Sequence, residues 1–402
     1  MFVNATSIDG AGFGSDSGRF AIRAGSVSTL PNGWAHADVG AVGAPGSATF
    51  DGNVLLGDAL TVSGSGADIW GSADEFHYAW KIIDSLEFEI EARVSSVDAA
   101  HAWAKAGLMI RADVLDPSSQ HASIFVTPAR GVVFQRRTAD GGVSINTSGS
   151  AFTAPVWLRL VRRALVVTAY YKKSPTDQWT LLGQQPLPAL PKRSAIAVGL
   201  AVASHADGTL ARAKFEGVYL SRIPAWTTTA ISGAFGSASA TNATIYTVNG
   251  SGSDIWGTGD SFNYMWVRMS DRASLVARVL NVANTNAWAK AGLMIRESLA
   301  PDAKQVDVVV TPSKGVAMQY RNTTGGTSVM AGQKAAGAPV WIRLERLGSF
   351  VQASYSTDFA LWRLVGQVET AVGSDMYVGI AVTSHNAAVE TTATLDTVRI
   401  EQ

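Results

Sequence analysis

Cysteine is absent from the 402 residues, which removes disulfide frameworks, thiolate zinc sites, iron–sulfur clusters and cysteine nucleophiles together. Neither sign of charge is in excess: Lys+Arg and Asp+Glu both number 32, and charged residues make up only 16% of the chain. A balanced, charge-poor chain lacks the basic footprint that counterion release requires, so no nucleic-acid partner is expected. No apolar run approaches the roughly 20 residues that span a bilayer, so no membrane span is expected. Residues 1–23 show neither a basic start nor an apolar stretch of the kind that directs export. No signal peptide is visible, and either removal of a signal or release by lysis, as for virion components, accounts for that. Convincing amphipathic helices are missing as well.

What is present is present twice. Ala102 to Arg111, AWAKAGLMIR, recurs unchanged as Ala287 to Arg296. Around it, Gly64 to Gly71 (GSGADIWG) matches Gly250 to Gly257 (GSGSDIWG), and Pro155-Val156-Trp157 matches Pro339-Val340-Trp341. All 12 tryptophans pair, Trp70 with Trp256 and Trp103 with Trp288 among them. A repeat this long is a domain in its own right and not a solenoid unit. The expected organisation is an N-terminal arm over residues 1–29, one copy over 30–222 and a second over 223–402, joined by a short Pro-containing linker. The arm has no counterpart in the second copy and is the segment expected to support any homo-oligomer or assembly.

Each copy reads as β-structure. Segments such as Leu86 to Val94, Ala106 to Arg111, Val132 to Arg137 and Ala195 to Ala203 are rich in Val, Ile, Leu and aromatics, and Gly, Pro, Asp and Ser bound them. Short strands at this spacing predict an all-β sandwich or barrel. Alternation then sorts the side chains. Ala104, Ala106, Leu108 and Ile110 form a core face, and Trp103, Lys105, Met109 and Arg111 point the other way. Small residues opposite Val198, Leu200 and Val202 run into His205, which recurs as His385, and predict a shallow trough. The polar-aromatic face of Trp103, Lys105, Arg111, Gln135, Arg137 and His205, repeated as Trp288, Lys290, Arg296, Gln319, Arg321 and His385, is the expected ligand surface. Paired Arg and Gln also brace sheets, and that reading stands beside the first.

With its GSG-D-IWG, AWAKAGLMIR, VTP…GV-Q-R, PVW-RL and VG-AV-SH motifs, the chain resembles bacterial concanavalin A-like lectin/glucanase domains of the regulation-of-enolase-like accessory type. The resemblance covers both copies and implies two tandem concanavalin A-like jelly-roll β-sandwiches. It also implies a lectin-like function, a carbohydrate or cell-surface partner and an extracellular or virion-surface location. A structural, decoration, fibre or receptor-binding role in a phage virion or other extracellular assembly is the alternative, and a glycoside hydrolase the third.

Catalysis is not expected. A retaining glycosidase needs two carboxylates about 5 Å apart, and Glu87, Glu89 and Glu91, which share a face by alternation, align with Arg272, Ser274 and Val276 of the other copy. Their spacing also departs from the Glu-x-Asp-x-x-Glu pattern of the glucanases the chain resembles, and a solvent-facing edge strand accounts for them. No cofactor is expected except Ca²⁺, for which Asp68, Asp74, Asp254 and Asp260 in the duplicated Trp loop are the oxygen donors. Turn capping is the competing role for those four.

Overall fold

A computed structural model describes residues 30–401 apart from 32, 55–56, 188–189, 191–195 and 242–244. The expected arm, residues 1–29, lies outside the described residues. In the first half, one seven-stranded antiparallel sheet is ordered Ala35–Val39, Phe76–Ile83, Ile196–Ala203, Lys105–Arg111, His121–Thr127, Gly131–Arg137 and Ile145–Ser148. A second is ordered Thr180–Pro186, Val166–Lys172, Val156–Arg163, Glu87–Val97, Ala211–Arg222, Gly57–Gly64 and Ser47–Val54. Two further seven-stranded sheets, built between Thr227 and Glu401, repeat both orders strand for strand. The molecule is all-β, as expected.

Period-two alternation explains why these segments pair as they do. Ala106, Leu108 and Ile110 from the first sheet meet Ile90, Leu158 and Leu160 from the second in one apolar core, and Leu293, Ile295, Leu275 and Ile342 build its counterpart in the second half. Burying each Leu or Ile side chain in these cores contributes about 2 kcal/mol. Close packing of strands is enforced at Gly107 and Gly292, where a Cβ would fall about 2 Å from the carbonyl oxygen of Ile124 or Val308 on the adjacent strand.

The two halves meet through the outward faces of their second sheets. Arg399 Nη2 lies 2.8 Å from Glu91 Oε1, with both side chains buried, and its guanidinium sits 4.3 Å from the ring of Tyr219. Ser221 Oγ donates to the carbonyl of Ile400 at 3.1 Å. Register places Tyr219 opposite Glu91 and Arg399 opposite Val276, so Tyr219 and Arg399 are equivalent positions of the two halves. Here an expectation is corrected. The strand bearing Glu87, Glu89 and Glu91 is the central strand of its sheet and not a solvent-facing edge, and Glu89 and Glu91 are buried against Arg159 and Arg399. Of these acids, Glu91 crosses between the halves to Arg399, whereas Glu89 and Glu87 pair with Arg159 and Arg163 of their own sheet.

Removing one member of a buried pair strands the other charge. Arg399→Ala is therefore expected to lower stability by about 3 kcal/mol in urea melts, and Glu91→Val, which installs the residue found at Val276, is expected to restore most of that loss when the two are combined. A double variant as unstable as Arg399→Ala alone would show that Glu91 is not the group left stranded.

Candidate functional site

The outer face of the first sheet is not an open trough. Residues 65–75, including a small hairpin of Ile69–Trp70 and Ala73–Asp74, fold over it. Ile69 and Phe76 pack with Tyr78, Met109, Ala201 and Ala203 in a second, smaller core. Ile255, Phe262, Tyr264, Met294 and Ala381 do the same in the second half. The small residues read as a trough are thus the room this loop needs.

A buried carboxylate pins the loop. Arg137 grips Asp74 with both terminal nitrogens, at 2.6 and 2.8 Å, and Arg111 Nη1 reaches the same carboxylate at 3.0 Å. Arg137 also donates to the carbonyls of Pro117, Ser119 and Gly142 at 3.1, 3.1 and 3.0 Å. Three loops therefore converge on one guanidinium. Arg321, Arg296 and Asp260 repeat the arrangement, with Arg321 at 2.6 and 2.9 Å from Asp260 and Arg296 at 3.3 Å. Charge-assisted bidentate geometry of this kind is what makes a buried pair tolerable.

The structure thus divides the expected ligand residues. Arg111, Arg137, Arg296, Arg321, Gln135 and Gln319 are buried beneath the loop, where a ligand meets them only if the loop lifts; the four arginines and Gln319 bond to the loop and brace it. Lys105 and Lys290 are buried too, but each ammonium lies on a half-exposed carboxylate, Asp68 or Asp254. His205 Nδ1 and His385 Nδ1 each approach the other oxygen of that carboxylate at 3.2 Å. Trp103 and Trp288 are half-buried on the same rim.

Around this contact the surface is aromatic. Trp70 and Trp256, at the hairpin tips, are 38% and 37% exposed and stand 5.9 Å from the Lys105 and Lys290 ammonium groups. Lys290 is also 5.9 Å from the ring of Trp288, and Arg130 is 5.6 Å from that of Trp103. His101 stacks on His205 at 4.3 Å. Both His205 and His385 have φ of 54°, a left-handed conformation that costs a non-glycine residue about 1 kcal/mol. That both halves hold a histidine there marks the rim as a constrained place. Trp70 and Trp256 were not among the expected ligand residues; the duplicated GSG-D-IWG motif was the signal that held them.

The four aspartates do not fit a calcium ion as placed. Asp74 and Asp260 are each neutralised by two arginines, and Asp68 and Asp254 by a lysine and a histidine contact. Calcium takes six to eight oxygen ligands, and here each carboxylate is already engaged by arginine or lysine.

No family model matches this sequence, and no curated protein matches it either. Among solved structures the chain is similar to a functionally unknown protein from Saccharomyces cerevisiae, at 16% identity over 41% of this chain and 91% of that one, with a TM-score of 0.35. It is also similar to peanut lectin, at 8% identity over 43% of this chain and 99% of that one, TM-score 0.25. A xylan β-1,4-xylosidase from Bacillus halodurans matches at 10% identity over 88% of this chain and 86% of that one, TM-score 0.29. Likeness at this level concerns the fold alone. The expectation that the chain is not an enzyme is corrected here: similarity extends to a xylosidase as well as to a lectin, and a sandwich architecture does not choose between binding and hydrolysis.

Two outcomes follow from the buried groups. Arg137→Ala and Arg321→Ala are each expected to cost about 3 kcal/mol in a thermal melt, because Asp74 or Asp260 is left buried with less of its charge compensated; an unchanged melting temperature would show that the loops are held by other contacts. His121, buried beside the Asp74 clamp, is pulled down to about 3 by burial, with Asp74 opposing. Unfolded, it protonates near 6.5, so the stability tied to its neutral form is full above that pH and is lost as pH falls toward 3, at about 1.4 kcal/mol per pH unit. His121→Gln, the residue at the equivalent Gln305, is expected to flatten the decline between pH 6.5 and 4.5, and a slope identical to that of the parent chain would refute this.

Proposed function

We propose that this chain binds carbohydrate, with one saccharide site in each half at the Trp70/Trp103 rim and its Trp256/Trp288 counterpart. The observation that carries the reading is the repeated placement of an exposed indole beside a half-exposed carboxylate that holds a lysine and has a histidine Nδ1 3.2 Å away. A sugar ring offers an apolar C–H face and a fringe of hydroxyls. The indole takes the first with little loss of conformational freedom, since the ring is rigid and already ordered. Asp68 and His205 offer the second an acceptor and a donor or acceptor, fixed in position by Lys105.

The rim also explains why the loop clamp is worth keeping in both halves. A Trp at the tip of a free loop would lose on binding the mobility that the Asp74 clamp has already removed. Preorganisation is thus supplied by residues that themselves stay out of reach of the ligand.

Screening the full chain on a glycan array, followed by calorimetry with the best saccharide, tests the reading. Trp70→Ala with Trp256→Ala is expected to weaken binding at least tenfold, about 1.4 kcal/mol, with the melting temperature nearly unchanged because both side chains are exposed. A blank array, or an affinity indifferent to both substitutions, would remove the proposal. Following the same incubation for released reducing sugar reports whether a bound saccharide is also cleaved.

A further inference from the structure

A second cluster lies at the edge of the first half, outside the rim just described. His36 and Asp38 belong to Ala35–Val39, the outermost strand of the first sheet, and His77 to its neighbour Phe76–Ile83, with Asp38 directly opposite His77. Alternation puts all three side chains on one face, His36 diagonal to His77. Asp38 Oδ1 is 2.6 Å from His77 Nδ1, and His77 Nε2 is 3.0 Å from His36 Nδ1. The Gly46 N–H donates to both Asp38 oxygens, at 3.0 and 3.2 Å, which fixes the carboxylate. Because the carboxylate accepts, His77 carries its proton on Nδ1 and turns a bare Nε2 toward His36. His77 is buried, whereas His36 and Asp38 are half-buried, so solvent reaches one side of the pair.

The second half shows that the fold does not need these groups. Thr228, Ala230 and Asn263 occupy the equivalent register. Asn263 donates to the carbonyls of Ser237 and Asn249 at 3.3 and 2.7 Å, tying strands together with an amide. In the first half both nitrogens of His77 engage Asp38 and His36 instead.

We propose that His36 Nδ1 and His77 Nε2 together bind a late first-row divalent metal ion of the zinc, copper and nickel class. Two nitrogens on a tetrahedral ion with bonds of about 2.0 Å lie roughly 3.3 Å apart, close to the 3.0 Å seen here. With His77 Nε2 bare, His36 Nδ1 donates the hydrogen bond between them; the metal ion takes the place of that proton, which moves to His36 Nε2, so no proton has to leave the protein. Asp38 accepts the remote N–H of His77, the outer-shell contact that orients a metal-bound imidazole and raises its basicity. Among the described residues no group of three His, Cys, Asp or Glu converges on one point, so water completes the coordination and the site is an exchangeable one.

The full chain is titrated with Zn²⁺ by calorimetry and with Cu²⁺ by electron paramagnetic resonance. One equivalent is expected, with two nitrogen ligands on copper. His77→Asn, the residue found at Asn263, and His36→Ala, at a half-buried position, are each expected to weaken binding at least tenfold while the metal-free melting temperature stays close to that of the parent chain; Asp38→Asn is expected to weaken it by a smaller factor. Failure of either ion to bind, or binding that survives both histidine substitutions, overturns the proposal.

Discussion

One carboxylate per half, Asp74 or Asp260, governs what the rest of the structure can do. It is fully buried and is held by a forked guanidinium that also reaches three loops: in the first half the carbonyls of Gly71, of Pro117 and Ser119, and of Gly142, and in the second the carbonyls of Gly257, of Pro301 and Ala303, and the Ser328 hydroxyl. Burying a lone carboxylate costs several kcal/mol, and only paired, fully hydrogen-bonded geometry offsets that. The geometry therefore exists only when all three loops are in place together. The clamp makes loop closure cooperative: a local turn becomes part of the folded core, and the rim above it inherits the rigidity.

The same clamp shows where reading the sequence succeeds and where it stops. Alternation along AWAKAGLMIR assigned Ala106, Leu108 and Ile110 to the main core, and the repeat implied one topology built twice; both are seen in the paired sheet orders. Alternation gives the side of a sheet, however, and says nothing of what covers it. Arg111 and Arg137 do point away from the core, but a segment some forty to seventy residues earlier folds back over them. Glu89 and Glu91 present the same limit from the other side, since their burial depends on a partner face contributed from the far end of the chain. Strand propensity and period carry no information about such long-range cover.

Duplication followed by divergence is visible in two layers. Beneath the loops, His121 and Ser123 of one half stand where Gln305 and Asp307 stand in the other. Burial lowers the affinity of His121 for a proton and raises that of Asp307, so in both it favours the uncharged form. Between the halves, Glu91 meets Arg399, whereas their structural counterparts, Val276 and Tyr219, are an apolar and an aromatic residue.

That contact also orders the layers of the molecule. The halves join through their second sheets, which leaves the loop-covered faces of the first sheets on the two outsides of a four-sheet stack. Packed sheets lie about 10 Å apart, so the Trp70 and Trp256 rims are separated by roughly 30 Å or more and look in opposite directions. A single flat surface reaches one rim at a time. Ligands held at the two proposed saccharide sites would therefore lie on opposite sides of the stack, at a spacing set by the thickness of the protein itself.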